Sequence, residues 1–269
     1  MSHPGPDPHA LLPELPEDVR EGLRLVLSGL PAVRRPAVYA ARHALRNLRY
    51  AWRVKDLDPL VAIFRAIHAE EEAASALIRS VQRIGYRGAD ELVATSHTHK
   101  AGVWPMLIAV MNSFSKHPAP WFGAEVLLRG IGEDARTSLR LKFPRDGMPP
   151  LYAESELPLN LNVHVNDEVQ HFEDELRALA SESNKETIAA HIRKRGQVRN
   201  DLLYATEDGF PDANGDVGDE LRRYAFSTRG VLLALLLVDP HDVQQTFAQQ
   251  VVDAYLKVIR KRRAADGTR

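Results

Sequence analysis

Hydrophobic positions recur with a helical period over most of this chain, and over two short stretches in its middle they alternate instead. Val38, Ala41, Leu45 and Trp52 keep helical spacing and predict a helix over Ala37–Val54. Asp56, Asp58 and Pro59 supply a break and a fresh start, so a long helix is predicted over Pro59–Ile84, stopped by Gly85. Further helices are predicted over 89–100, 103–114, 167–180, 185–206, Val217–Val238 and 240–262. After His117-Pro118-Ala119-Pro120 the period changes to two. Leu139, Leu141 and Phe143 share a face over 137–143, and Leu159, Leu161, Val163 and Val165 share one over 159–165. These two stretches predict an antiparallel pair. The first residues carry Pro4, Pro6, Pro8, Pro13 and Pro16 and read as a proline-rich arm over 1–18. Residues 19–269 read as one helical domain with the hairpin inserted at about 117–166. The expected fold class is mostly α, a helical bundle with a small inserted antiparallel β-hairpin.

Composition narrows the setting. The chain has 269 residues, 44% of them hydrophobic and 26% charged, with a formal net charge of −1. That balance argues against indiscriminate binding to polyanions and leaves room for a local basic patch. No cysteine is present, which removes disulfides, thiol catalysis and thiolate metal sites. The N-terminus has neither the basic start nor the apolar core of a signal peptide. The apolar run from Val231 to Val238 is far shorter than the roughly 20 residues that span a bilayer. A cytoplasmic location and no membrane partner are expected.

Two charged residues sit where helices should be greasy. With Ile188 as origin, Arg199 falls at roughly 20° on the helical wheel, inside the stripe of Ile192, Gly196, Leu202 and Leu203, and Arg195 falls beside it. Glu71 lies roughly 20° from Leu60, within the stripe of Phe64, Ile67, Ala74 and Ile78, while Glu70 and Glu72 flank it outward. A guanidinium or carboxylate on a packing face needs a partner of opposite charge or several hydrogen bonds. Arg42, Arg49 and Arg199 are the expected partners of Glu71. The bland account is a structural Glu–Arg network; the sharper one has that network orienting Arg199 in a polar pocket.

An early acidic helix followed by Arg199-Asn200 on a late helix resembles the HEPN superfamily, particularly its abortive-infection AbiV-type members, over about 37–84 and 185–260. The resemblance implies a helical homodimer that cuts RNA without metal, using an arginine, a following polar residue and a histidine four to six positions on. Arg199 and Asn200 match the first two places, and Tyr204 stands where the shortest spacing puts the histidine. An unperturbed phenol, with pKa near 10, exchanges protons poorly at neutral pH, so slow cleavage or none is expected. His191, two turns before Arg199, is a second source of an imidazole. On this reading Arg199, Asn200, Tyr204 and His191 do the chemistry, Arg195 and Arg193 meet phosphate, and Glu71 holds the arginine. RNA or a nucleotide is the expected ligand, with phage defence as the implied setting. The alternative is a non-enzymatic helical interaction or oligomerisation protein with a structural Arg/Glu network.

Three histidine groups invite a metal: His97 with His99, His68 with Glu71 or Glu72, and His164 with Asp167, Glu168 and His171. Di-iron bundles repeat a Glu-x-x-His spacing on two helices. Here only Glu168 and His171 have it, so no metal and no cofactor are assigned. No phosphate-binding glycine loop or serine nucleophile elbow is present.

Overall fold

A computed structural model of the chain describes residues 15–115, 123–165, 168–182, 188–202 and 215–266. Its centre is a helix that has hardly any free side. Helix α1 spans Glu17–Gly29, so the proline-rich stretch gives way to helix at residue 17 and not after 18. Helices α2 (Ala37–Val54) and α3 (Pro59–Ile84) run antiparallel, joined by a short turn. Asp58 starts α3 by accepting from the Val61 amide at 3.0 Å, and Pro59 occupies the first turn, where a missing N–H costs nothing. Ala62, Ala66, Ala69, Ala73, Ala74 and Ala76 are fully buried along α3. Their small side chains let neighbouring helices approach from several directions. Helix α8 (Val217–Val238) lies along α3, and α1 packs against α8.

Several expected elements take a different form. The helix predicted over 167–180 starts only at Glu173, and the one predicted over 240–262 only at Thr246. The stretch 89–100 is not one helix: a single 3-10 turn at Ala89–Glu91 is followed by α4 at His97–Ala101. Side chains of α3 claim its backbone carbonyls. Ser75 Oγ donates to Ala94 O at 2.8 Å, and Gln82 Nε2 donates to Leu92 O at 2.6 Å. Helix α5 (Val103–Ser115) then follows as expected.

The sheet has a different partner from the one anticipated. Strands β1 (Gly123–Arg129), β2 (Arg136–Arg145) and β3 (Met148–Ser155) form an antiparallel sheet in the order β1-β2-β3. Residues 137–143 are therefore strand, but they pair with 123–128 and 151–155 and not with 159–165. Asp146-Gly147 closes the β2–β3 hairpin, with Gly147 at φ 67°, a conformation open to glycine. Residues 159–163 run instead along helix α9 (Thr246–Asp266). The Leu159 amide donates to Gln245 Oε1 at 2.7 Å, and the Val163 amide donates to Gln250 Oε1 at 3.1 Å. Leu159 and Val163 are partly buried, but Leu161 between them is exposed, so the period-two face breaks. Gln245, just before α9, and Gln250, on it, stand in for a neighbouring strand. Strand β4 (His164–Val165) pairs with β5 (Glu168–Val169).

The remaining described helices are α6 (Glu173–Glu182) and α7 (Ile188–Asp201). The sheet is tied to the helices at the end of α8. Leu236 O would find its helical partner at position 240, which is proline and has no N–H. Thr137 Oγ1 donates to that carbonyl at 2.6 Å, and Gln245 Nε2 donates to Leu237 O at 2.8 Å. Among the described residues, no helix is long and apolar enough to cross a membrane.

Candidate functional site

Glu70 and Glu71 are adjacent on α3, and both are buried, at 6% and 5% exposure. The expectation that Glu70 points outward fails because α3 packs on more than one side, so a single-stripe wheel does not apply to it. Glu70 turns toward α7 and α8: Arg195 Nη2 donates to its Oε1 at 2.6 Å, and the Ser227 hydroxyl donates to its Oε2. Burial on its own would weaken the Arg195 charge, but Glu70 outweighs it and the guanidinium pKa is raised.

Glu71 turns toward α4. His97 Nδ1 lies 2.8 and 2.9 Å from its two oxygens, Lys100 Nζ 3.3 Å from Oε2 and His68 Nδ1 3.8 Å from Oε2. Burial pushes this carboxyl up, yet the His68 and His97 imidazoles and the Lys100 ammonium hold it down at about 2. His97 is 40% exposed, so Glu71 fixes one nitrogen of an imidazole that still reaches solvent. His99 is occupied structurally, accepting the Val93 amide on Nδ1 at 2.9 Å.

A two-lobed cleft opens above Glu70. Both lobes are bounded by Glu70, His191, Arg195, Arg223 and Tyr224. One, of about 350 Å³, continues between Trp104, Pro105, Ile108, Leu179 and Phe226. The other, of about 270 Å³, reaches Glu71, Ala101, Lys194 and Val198. Trp104 and Phe226 meet edge to face with centroids 5.6 Å apart. Gly230 allows this, because a Cβ there would overlap the indole of Trp104. Burial pushes the Tyr224 phenol up, although Arg223 lies over its ring at 5.0 Å. The cleft thus joins an aromatic lobe to a lobe edged by cations.

Of the residues expected to act, His191, Arg195 and Glu71 come together at this cleft. Arg193, half-buried on the same helix, lines neither lobe. Arg199 and Asn200 belong to the last turn of α7, but their side chains, like the whole of Tyr204, lie outside the described residues. The contacts sequence reasoning missed are those of Glu70, His97, Lys100, Trp104 and Tyr224. The signal for Glu70 lay in the Glu70-Glu71 pair itself: two adjacent carboxylates in an alanine-rich helix cannot both avoid the interior when the helix is surrounded.

As for metals, the group of His164, Asp167, Glu168 and His171 rests on side chains outside the described residues at 164 and 167. His43, His68 and Glu72 bring ligand-type atoms within 4.8 Å of one another. Comparison with protein-family models, with curated proteins and with solved structures finds no match to this chain.

Proposed function

We propose that this protein binds a nucleotide, free or as a unit of RNA, in the cleft between α3, α5, α7 and α8. The observation that carries the reading is the division of the cleft into two lobes. A nucleotide has a flat apolar face and an anionic end. The Trp104–Phe226 lobe suits a base, and Lys194, Arg195 and Arg223 edge the side where a phosphate would lie. The HEPN resemblance of Arg199-Asn200 supports the same ligand, and supports a cytoplasmic homodimer active in phage defence. Metal-independent cleavage is the finer part of the proposal. Tyr204 replaces the motif's histidine, and His191 at the cleft and His97 on Glu71 are the imidazoles available nearby.

The test uses labelled single-stranded RNA and a nucleotide at two salt concentrations. Phe226→Ala should abolish base stacking in the aromatic lobe, worth about 1–3 kcal/mol per base. Lys194→Ala with Arg223→Ala should weaken binding and flatten its salt dependence by roughly 0.7 of a slope unit for each phosphate that is no longer neutralised. Arg199→Ala should weaken it too. A cleavage time course with chelator present should show slow turnover or none. Wild type and variants behaving alike in every assay would leave the second reading, a non-enzymatic interaction or oligomerisation protein. That reading is favoured by the closure of Glu70 on Arg195 and of Glu71 on Lys100, which tie α3 to α7 and α4.

A further inference from the structure

The contact between α2 and α3 carries a cluster of ionisable groups that the cleft does not use. His68 and Glu72 stand four residues apart on α3, so one helical turn places them on the same face. His43 meets them from the facing turn of α2. His43 Nδ1 lies 3.3 Å from Glu72 Oε2, and His68 Nε2 lies 3.9 Å from Glu72 Oε1. One ligand-type atom from each residue lies within 4.8 Å of the others. Nitrogen and oxygen ligands held about 2.0–2.1 Å from a tetrahedral ion stand roughly 3.4 Å apart. The observed spacings, 3.3 and 3.9 Å with all three atoms within 4.8 Å, bracket that separation.

The surroundings aim these atoms. The His68 ring stacks on Phe64 at 6.3 Å with an interplanar angle of 6°, and meets His43 edge-on at 5.5 Å. Its Nδ1 faces the buried Glu71 carboxylate at 3.8 Å and has no other polar partner among the described residues. A metal-bound histidine characteristically turns its second nitrogen to a carboxylate, which fixes the tautomer and leaves the other lone pair for the ion. Among the described residues, Glu72 forms ion pairs only with the two imidazoles, so no fixed Lys or Arg neutralises it. His43 is 45% exposed, which keeps a path open for an ion and a water.

We propose that His43, His68 and Glu72 bind one divalent transition-metal ion of the zinc or iron(II) class, leaving a coordination position for water. Two imidazoles and one carboxylate are the donors such ions take, whereas magnesium and calcium prefer all-oxygen sites. The test takes the full-length chain, freed of any affinity tag and stripped with chelator. Zinc(II) is measured by equilibrium dialysis and cobalt(II) by its visible absorption.

The expected result is one zinc per chain above that held by the His43→Gln/Glu72→Gln variant, a raised Tm on loading, and a cobalt band that zinc abolishes. Both substituted side chains are partly exposed, and circular dichroism checks that the variant is folded. Glu71→Gln, read only in folded protein, should weaken zinc binding about 10–100-fold through the second nitrogen of His68. Equal zinc uptake by wild type and the double variant would overturn the proposal. So would displacement of cobalt by equimolar magnesium.

Discussion

The helices around α3 and the β1–β3 sheet each hold a carboxyl at about 2, and they do so in opposite ways. Glu71 is 5% exposed, and its neighbours must outweigh the burial that pushes it up. Glu154, on β3, sits at the surface, where the two-point grip of Arg129 at 3.0 and 2.7 Å and the Ser138 hydroxyl at 2.7 Å lower it. The acidity is similar, but the energetic meaning is not. In the sheet water solvates either partner when the other is removed, and salt screens the pair. In the helical body the stranded partner stays dry. The same division runs through the apolar residues: Leu48 is fully buried, whereas Leu151 and Tyr152 are 56% and 49% exposed.

The sharpest test of this contrast removes each carboxylate. Glu71→Ala leaves the Lys100 ammonium buried without its partner and should cost about 3–5 kcal/mol in urea unfolding, measured with chelator present. Glu154→Ala should lower the urea midpoint only slightly, and a drop comparable to that of Glu71→Ala would collapse the distinction. Next comes packing. Leu48→Ala should cost about 2–5 kcal/mol, and Leu151→Ala less than about 0.5 kcal/mol. A smaller effect is expected at the seam between the regions. Thr137→Val leaves Leu236 O without its donor, for about 1–3 kcal/mol, read from the same curves.

The weakest effect is a pH response confined to that seam. Burial, together with the charge of Arg136, lowers the His241 pKa, and its Nε2 lies 3.2 Å from Thr137 Oγ1. The unfolded chain therefore takes up this proton first as pH falls. The neutral imidazole's contribution is complete above the ordinary histidine value of about 6.5 and is lost as pH falls through the lower folded value. Hydrogen exchange at pH 7.5 and 5.5, corrected for intrinsic rates, should show β2 amides loosening while α3 amides hold. Uniform loosening would place the response elsewhere.

Helices with chemical punctuation were legible to the residue. Asp58-Pro59 and Gly85 bound α3, and Asp216 caps the start of α8 through the Gly218 and Asp219 amides. The β2–β3 hairpin was not anticipated: Asp146-Gly147 is a strong two-residue turn signal, but Pro149 and Pro150 disguise the strand that follows it, and the alternation at 159–165 points to that stretch as the partner instead. The environment of 159–163 was not legible, because alternation says nothing of what supplies the hydrogen bonds, and with the Gln245 and Gln250 side chains as partners Leu161 faces outward. Glu71 and Arg195 stood out as charges within apolar stripes, and His191 as an imidazole two turns before Arg199. Trp104, Tyr224 and Lys100 reach the cleft or Glu71 from other elements, and no local spacing announces that.

The placement of α3 also orders the assembly of the molecule in time. Its contact with α2 closes a loop of only a few residues, whereas its contact with α8 joins partners such as Glu70 and Ser227, 157 positions apart. Closing the longer loop costs more chain entropy before any contact rewards it. The α2–α3 pair should therefore form early and α8 dock late, so that substitutions at Leu48 slow folding while those at Leu232 mainly speed unfolding. Until α8 arrives, one long side of the alanine-rich helix is a sticky surface in water, and the vulnerability of this protein to aggregation lies in that interval.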